Sequence, residues 1–194
     1  MKNLFAIPLL HEKLKLDPNY YYDQITTLRF KRPNTPEQYT SFFDEDPMLG
    51  MEWAELKEDI IAYTRGYISE VMPRQKRVPK IGVAAWWNLY DEHTHHCWHT
   101  HENSFLAGTY YVYTSEHTSG IEFVSPLSAL IRNSYPYFGM DTRFEQSTVI
   151  KPESGDLLIW PAWLSHMIPA QKQVKDKFRC SISFNIQLGN SRGV

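Results

Sequence analysis

The sequence lacks the features that mark several broad classes of protein. Its 194 residues contain two cysteines, Cys97 and Cys180, which are too few for a disulfide framework. The 20 basic residues are balanced by 22 acidic ones, so there is no excess positive charge of the kind on which most binding to nucleic acids or anionic membranes depends. We therefore expect a protein of the reducing cytoplasm that binds neither nucleic acid nor membrane.

Long apolar runs and internal repeats are also missing. No stretch reaches the roughly 18 consecutive apolar residues that suggest a membrane span, and the opening MKNLFAIPLLHEK returns to charged residues too soon for a signal peptide. No repeat or low-complexity linker divides the chain. The sequence predicts a single domain over residues 1–194, in which 1–79 form a support of helices and loops and 80–194 form the core.

One clear helical pattern lies in the N-terminal part of the chain. Over Met51–Val71 apolar side chains recur every three or four residues with charged residues between them, which predicts an amphipathic helix. Residues 17–48 contain four prolines, so we expect loops there with one short helix near Tyr20–Thr27. The run Leu4–Leu10 is interrupted by Pro8 and is expected to form an edge strand at most.

Beyond residue 80 the pattern changes to short apolar runs separated by polar turns, which is typical of strands. The predicted strands are Ile81–Tyr90, Leu106–Tyr113, Ile121–Val124, Asp156–Trp160 and Arg179–Leu188. A helix followed by many short strands favours an α+β, mainly β fold, closed as an antiparallel barrel or jelly roll with the helical part packed on the outer sheet. The Ser125–Gln146 insertion is a candidate lid.

The last predicted strand has an unusual division of polar and apolar residues. Alternation places Arg179, Ser181, Ser183 and Asn185 on one face and only apolar residues and Cys180 on the other. If the helix covers the apolar face, then the polar face points into the barrel, where an arginine needs an anion. The alternative is an open sheet whose polar face meets solvent.

Histidines are concentrated in one segment, where five of the eight lie between residues 93 and 101. On an extended segment His99 and His101 project from the same face, roughly 6.6 Å apart between α-carbons, so both rings can bind one metal ion. His166, just after a predicted strand, is the candidate third ligand. Three imidazoles suit iron, zinc, copper or nickel and do not choose among them.

Other assignments in this segment stay open. A zinc site of Cys97, His99 and His101 is one alternative, and a bulge that turns Glu102 toward the metal is another. The remaining histidines of the segment, His93, His95 and His96, are expected to be loop residues without a role at the metal.

Four segments resemble the iron(II)- and 2-oxoglutarate-dependent oxygenases, and within them a family of bacterial and bacteriophage enzymes related to the prolyl hydroxylases. These segments are AWWNLY, HTHENSFLAGTYYV, GDLLIWPAWLSH and RCSISFNI, and the opening LFAIPL is also similar. Because these segments are spread along the sequence, the resemblance extends over most of the chain. It implies a double-stranded β-helix, a jelly-roll barrel with iron at one mouth.

The resemblance also implies roles for individual residues. His99 matches the first iron ligand and His166 the distal one, whereas His101 stands where most relatives have a carboxylate. Arg179 matches the residue that pairs with the far carboxylate of 2-oxoglutarate. In full, the resemblance implies a metal site of His99, His101 and His166, with Glu102 as the alternative ligand. It implies a 2-oxoglutarate site of Arg179, Ser181 and Tyr111, and it places Asn88 in the pocket wall.

The function that follows by analogy is an Fe(II)- and 2-oxoglutarate-dependent dioxygenase that hydroxylates a C–H bond of a peptide or small molecule and releases succinate and CO2, with ascorbate as an additive in vitro. Two alternatives are a cupin-like metalloenzyme with three histidine ligands that does not use 2-oxoglutarate, and a non-catalytic jelly-roll binding module. The sequence identifies neither the substrate nor the oligomeric state.

Overall fold

A computed structural model of the chain describes residues 6–32, 39–74, 79–92, 94–128, 147–171 and 177–189. Most of the Ser125–Gln146 insertion, residues 129–146, lies outside this part of the chain, as do His93 and the first five residues. The described residues form a mainly β structure with two helices and nine strands.

Both helices precede the long strands, as the sequence predicts. Helix α1 (Pro18–Phe30) has proline in its first turn and Asp17 as its N-cap, whose side chain accepts a hydrogen bond from the Asn19 N–H at 3.0 Å. Helix α2 (Ala54–Val71) begins three residues later than predicted, because Trp53 has a non-helical backbone. Neither helix is long and apolar enough to cross a membrane.

The strands form two antiparallel sheets. In chain order they are β1 (Leu10–Lys13), β2 (Lys80–Tyr90), β3 (His96–His99), β4 (Leu106–Tyr113), β5 (Ile121–Val124), β6 (Ser147–Ile150), β7 (Asp156–Pro161), β8 (His166–Ile168) and β9 (Arg179–Gly189). The larger sheet has the order β1-β7-β4-β9-β2 and the smaller one β3-β8-β5-β6. The chain passes repeatedly from one sheet to the other, as in a jelly roll.

All five strands predicted beyond residue 80 are present, and their bounds lie within one residue of the predicted ones. The sequence missed β3, β6 and β8, which have three or four residues and are too short to show a period of two. The predicted edge strand begins at Leu10 rather than ending there, and β1 does lie at the edge of the larger sheet.

The larger sheet lies between the helices and the smaller sheet. One of its faces packs under α1 and α2, with Ile25, Leu56 and Ile182 among the buried apolar side chains of that layer. Its other face packs against the smaller sheet, where Trp160 of β7 meets Phe123 of β5. The molecule therefore has three layers, and a space between the two sheets.

Strand β9 turns its polar residues into this space. Cys180, Ile182 and other alternate residues lie in the core beneath the helices, which directs the intervening side chains toward the smaller sheet. Arg179 and Ser181 are buried there. The prediction of an inward polar face is confirmed for Arg179 and Ser181, whereas Ser183 and Asn185 on the same face are partly exposed.

Gly108 of β4 allows a close approach beneath the helices. A Cβ atom at this position would overlap the ring of Phe184 and lie 2.6 Å from the carbonyl oxygen of Leu158. We expect Gly108→Ala to lower the free energy of unfolding by about 1–3 kcal/mol, because these neighbours must move apart. Urea denaturation monitored by circular dichroism measures this change.

Gly66 supplies the matched control. It is exposed on α2 and has no heavy atom within 4 Å of its virtual Cβ, so Gly66→Ala is expected to raise the free energy of unfolding by about 0.5–1 kcal/mol. A change of the same sign and size in both variants would contradict the described packing of β4.

Candidate metal centre

Three histidines from different parts of the sequence meet between the sheets. His99 ends β3 and His166 begins β8, and the two are directly paired in the antiparallel register of these strands. His101 lies two residues beyond β3, where its N–H donates to the Ala162 carbonyl at 2.9 Å. One ligand atom from each of the three rings lies within 4.8 Å of the other two.

The structure brings together the three histidines that the sequence predicts as ligands, but not in the way that the sequence predicts. The HxH pair was expected on one extended strand, but β3 ends at His99 and His101 belongs to the following loop. The two rings nevertheless approach to 5.1 Å between centroids. Cross-strand pairing supplies the third ring, with His99 and His166 at 4.2 Å.

The nitrogen positions fit a shared metal ion. The Nε2 atoms of His101 and His166 are 3.2 Å apart. Two imidazole nitrogens that each lie about 2.1 Å from one metal ion, at a right angle, are separated by roughly 3 Å. The observed separation of the two Nε2 atoms is therefore close to that of two adjacent ligands of one metal ion.

Hydrogen bonds to the main chain select the tautomers of two of these rings. The Nδ1–H of His99 donates to the Cys97 carbonyl at 2.8 Å, and the Nδ1–H of His166 donates to the Leu164 carbonyl at 2.9 Å. A carbonyl oxygen only accepts, so Nδ1 carries the hydrogen and Nε2 keeps its lone pair. Backbone support of this kind is usual for metal-binding histidines.

Burial keeps the three imidazoles neutral. Burial, together with the neighbouring His99 ring, lowers the pKa of His166 to about 3 and of His101 to about 4. The pKa of His99 is also lowered by burial, against the opposing effect of its hydrogen bond to Cys97. Neutral imidazoles are the form that binds a metal, so the donor set fits Fe(II) as well as zinc, copper or nickel.

The alternative ligands are not part of this cluster. Among the described residues, the group that can share one ion contains neither the carboxylate of Glu102 nor the thiol of Cys97. Both side chains are exposed, and Cys97 contributes its carbonyl group to His99 instead. The geometry thus favours three histidines over either alternative.

The expectation that His96 lies in a loop is wrong, although His96 does not belong to the group of described residues that can share one ion. His96 begins β3, and its ring stacks on His99 at 3.9 Å between centroids and 14° between planes. A regular strand would place these residues on opposite faces, but the pairing of β3 with β8 shifts register between them. No sequence signal marks this irregularity. His95 remains outside the strand and lines the cavity described below.

Arg179 is the second notable feature of the space between the sheets. Its side chain is completely buried, at 0% exposure, and its guanidinium carbon lies 4.7 Å from the Tyr90 ring centroid and 5.2 Å from that of Tyr111. None of its three nitrogens makes a hydrogen bond with a described residue. Asp156 is the one buried acidic residue among those described, and it pairs with His11 at 2.7 Å and Lys13 at 3.3 Å rather than with Arg179.

Two tyrosines surround this unpaired cation. The hydroxyl of Tyr111 is buried and has no hydrogen-bond partner among the residues described. Burial raises the pKa of both Tyr90 and Tyr111, although Arg179 opposes the rise, so both phenols keep their protons. The Tyr111 hydroxyl, which has no partner among the described residues, is thus available as a donor to an anion beside Arg179. The sequence missed Tyr90, although its pairing with Arg179 across β2 and β9 places both on one face.

Ser181 and Asn88 lie on the same side of the larger sheet. Ser181 is buried and is paired in register with Asn88 of β2 and with Tyr111 of β4. Asn88 donates to Ser183 at 3.1 Å and accepts from Thr40 at 2.8 Å. It also lines the cavity, as the resemblance implied.

A cavity of about 520 Å³ opens beside the metal site. Its wall includes His99, His101 and Tyr90, and the Tyr90 ring packs on Arg179, which does not itself line the cavity. Cavities of this volume are typical of sites for small molecules. A three-nitrogen metal site therefore borders an open cavity, and one residue of the cavity wall contacts a buried cation.

Comparison with known proteins agrees with these features. The family described as "Putative 2OG-Fe(II) oxygenase" matches residues 84–185, which include the three histidines and Arg179. No sequence in the set of curated proteins matches the chain.

Solved structures show the same fold at low sequence identity. A prolyl-4-hydroxylase from Pseudomonas putida has a TM-score of 0.57 and 9% identity, over 97% of this chain and 90% of that one. HygX from Streptomyces hygroscopicus, solved with nickel and 2-oxoglutarate bound, has a TM-score of 0.55 and 10% identity, over 94% and 83% of the two chains. AviO1 from Streptomyces viridochromogenes has a TM-score of 0.55 and 10% identity, over 97% and 92%.

These structures establish the fold alone, whereas the family match extends over more than half of the 194 residues. It also includes every residue of the metal and arginine sites described above. The chain belongs to the 2OG-Fe(II) oxygenase family.

Proposed function

We propose that this protein is an Fe(II)- and 2-oxoglutarate-dependent dioxygenase that hydroxylates a C–H bond of a peptide or small molecule. The observation that carries the proposal is the buried guanidinium of Arg179, which has no acceptor among the described residues and packs on Tyr90, a wall residue of the cavity that His99 and His101 also line. In this proposal the two sheets close into a double-stranded β-helix around that space.

His99, His101 and His166 would hold the iron. Main-chain hydrogen bonds at Nδ1 leave the Nε2 lone pairs of His99 and His166 for the metal, and burial keeps all three rings neutral. The rings of Trp160 and Phe123 pack beside His166 at 4.9 and 5.7 Å, which limits the access of water to that side of the site.

Arg179 would bind the far carboxylate of 2-oxoglutarate. A guanidinium can donate two parallel hydrogen bonds to a carboxylate, and the low polarity around Arg179 strengthens such a pair. Tyr111 would donate a further hydrogen bond from its unpartnered hydroxyl, with Ser181 beside it. When bound, Fe(II) would supply the redox chemistry by which O2 oxidises both partners: one oxygen atom would enter succinate as 2-oxoglutarate loses CO2, and the other would enter the substrate C–H bond as a hydroxyl group.

The chain's own residues then have separable tasks. The histidines fix the position of the metal, Arg179 and its tyrosines fix the far end of the cosubstrate, and the aromatic side chains exclude water. A cosubstrate held at both ends has few orientations, so its keto acid group is directed toward the histidines. His101 at the position of the usual carboxylate makes the ligand set neutral, one negative charge fewer than the family pattern.

That substitution is also the observation that favours a second candidate, a three-histidine metalloenzyme that does not use 2-oxoglutarate. Such an enzyme explains the absence of a carboxylate from the cluster of described residues. It leaves the buried charge of Arg179 without a partner, whereas 2-oxoglutarate accounts for both features. We therefore prefer the dioxygenase.

Replacement of Arg179 tests the cosubstrate site. Arg179→Met keeps an unbranched side chain but removes the cation, so the KM for 2-oxoglutarate should rise roughly 100-fold, since loss of a buried charge pair typically costs several kcal/mol. Succinate formation with Fe(II) and ascorbate gives the KM. The control is Arg65→Met, because Arg65 is exposed on α2 and its loss should leave the KM unchanged.

The wild-type protein provides the decisive comparison in this assay. No succinate from wild-type protein, together with no binding of 2-oxoglutarate, would exclude the dioxygenase and leave the second candidate.

Removal of single histidines tests the metal site. We expect His101→Ala and His166→Ala each to weaken Ni(II) binding by more than roughly 100-fold, because changes that merely disturb a ligand's support already cost 10–100-fold. Isothermal titration calorimetry of untagged protein measures the affinity. His117→Ala is the control, since His117 is exposed and lies beside Glu116 in a turn. Unchanged affinity in both ligand variants would place the metal elsewhere.

The pKa shifts predict how pH affects the metal-free protein. Unfolded histidines take up protons below about pH 6.5, whereas folded His101 and His166 stay neutral until about pH 4 and 3. Between these limits the unfolded state binds more protons, so stability should fall as the pH falls from 6.5 toward 4. Urea unfolding at pH 7 and pH 5 measures the loss, which should be smaller in His101→Gln. An equal loss in both proteins would contradict the burial of this ring.

A further inference from the structure

A short aromatic segment, Tyr39–Asp44, borders the cavity that contains the metal ligands. Phe42 and Phe43 of this segment line the cavity, yet their side chains are 52% and 74% exposed. Adjacent phenylalanines with this exposure are costly in water unless something binds to them. Neither residue has a place in the sites assigned to the metal and to 2-oxoglutarate.

The backbone of the segment is held firmly against β2. Ser41 donates its N–H to the Trp87 carbonyl at 3.1 Å and accepts from the Trp87 N–H through its hydroxyl at 3.0 Å. Thr40 forms a β-bridge with Asn88, and Arg32 pairs with Asp44 at the far end. The exposure of the phenylalanines therefore results from a fixed backbone.

A continuous aromatic wall leads from these residues to the metal site. The ring of Phe42 packs edge-to-face on Trp86 at 5.0 Å, and it contacts Phe43 at 5.2 Å in the same manner. Trp86 lies 6.2 Å from His101 between centroids. A flat group seated on this wall would thus be placed beside a proposed iron ligand.

The charge of the cavity restricts what the wall can hold. Among the described residues that line it there is no lysine or arginine, and Glu102 is the one carboxylate. Residues 33–38, which directly precede the aromatic segment, also contain no basic residue in the sequence. An anionic group at the mouth would meet an unfavourable carboxylate and no fixed cation.

We propose that the aromatic wall of Phe42, Phe43 and Trp86 is the primary-substrate site and that it binds a flat apolar ring without negative charge. The assignment rests on the proposed function, because it takes the three histidines as the centre toward which the ring is presented. Phe42 is the specificity-determining residue, since it links the exposed mouth to Trp86. The volume of about 520 Å³ accommodates such a ring with its attached chain.

Two probes of the same shape and different charge test the site. Metal-free Arg179→Met protein, which lacks the buried cation that could itself bind an anion, is titrated at pH 8 with neutral 2-phenylethanol and with anionic phenylacetate, and binding is followed by tryptophan fluorescence and ligand-observed NMR. We expect 2-phenylethanol to bind and phenylacetate to bind at least about fivefold more weakly. Glu102→Gln should reduce the difference in affinity between the two probes, because it removes the carboxylate from the cavity wall. Equal affinity for the two probes, or no binding of either, would overturn the proposal.

Substitution of the wall locates the binding. Phe42→Ala should weaken 2-phenylethanol binding roughly five- to tenfold, through the loss of an aromatic contact. Phe30→Ala is the matched control, because the Phe30 side chain is 75% exposed on α1 outside the cavity lining and its loss should change nothing. An unchanged affinity in Phe42→Ala would contradict the assignment.

This experiment uses neither metal nor 2-oxoglutarate, so it stands apart from the test of the dioxygenase. A ring that binds to a protein unable to form succinate would keep the aromatic site and exclude the proposed function. Succinate formation without any binding of the aromatic probes would support the proposed function and exclude the aromatic site.

Discussion

The burial of Arg179 without a protein acceptor is the constraint on which the organisation of the site depends. A fully buried guanidinium is expensive unless something compensates its charge. The faces of Tyr90 and Tyr111 provide part of the compensation at 4.7 and 5.2 Å, but no described residue accepts its hydrogen bonds. A structure that keeps such a group in its interior is arranged for an anion that arrives from outside.

The layers of the fold make this arrangement possible. Helices α1 and α2 cover the apolar face of the larger sheet, and this leaves the opposite face of β9 to carry Arg179 and Ser181 toward the smaller sheet. The smaller sheet contributes His99 and His166 through the register of β3 and β8. The histidines and the buried arginine therefore come from different sheets, as the proposed binding of one cosubstrate between them requires.

Much of this arrangement follows from local patterns. The alternation in RCSISFNI predicts both the strand and the inward direction of Arg179, and the long apolar runs predict five of the nine described strands. The grouping of His99, His101 and His166 is also predicted from the sequence, because the HxH pair and the segment that ends in His166 each resemble motifs of a known family. Each of these patterns lies within one segment, so it can be recognised before the fold is known.

The remainder depends on contacts between segments that are distant in sequence. The role of Tyr90 appears only when β2 pairs with β9, and the stacking of His96 on His99 depends on an irregularity in β3 that no residue type marks. Phe42 and Trp86 are 44 positions apart and meet because Ser41 bonds to Trp87. Tertiary pairing of this kind cannot be read from propensity or periodicity.

The most direct measurement of the central claim compares two keto acids that differ in the far carboxylate. The affinity of Ni(II)-loaded protein is measured for 2-oxoglutarate and for 2-oxobutyrate, which presents the same chelating group but has nothing for Arg179 to bind. The account predicts that 2-oxoglutarate binds at least roughly 100-fold more tightly, since its second carboxylate pairs with a buried, preorganised cation. Equal affinities would contradict it, because Arg179 would then have no part in cosubstrate binding.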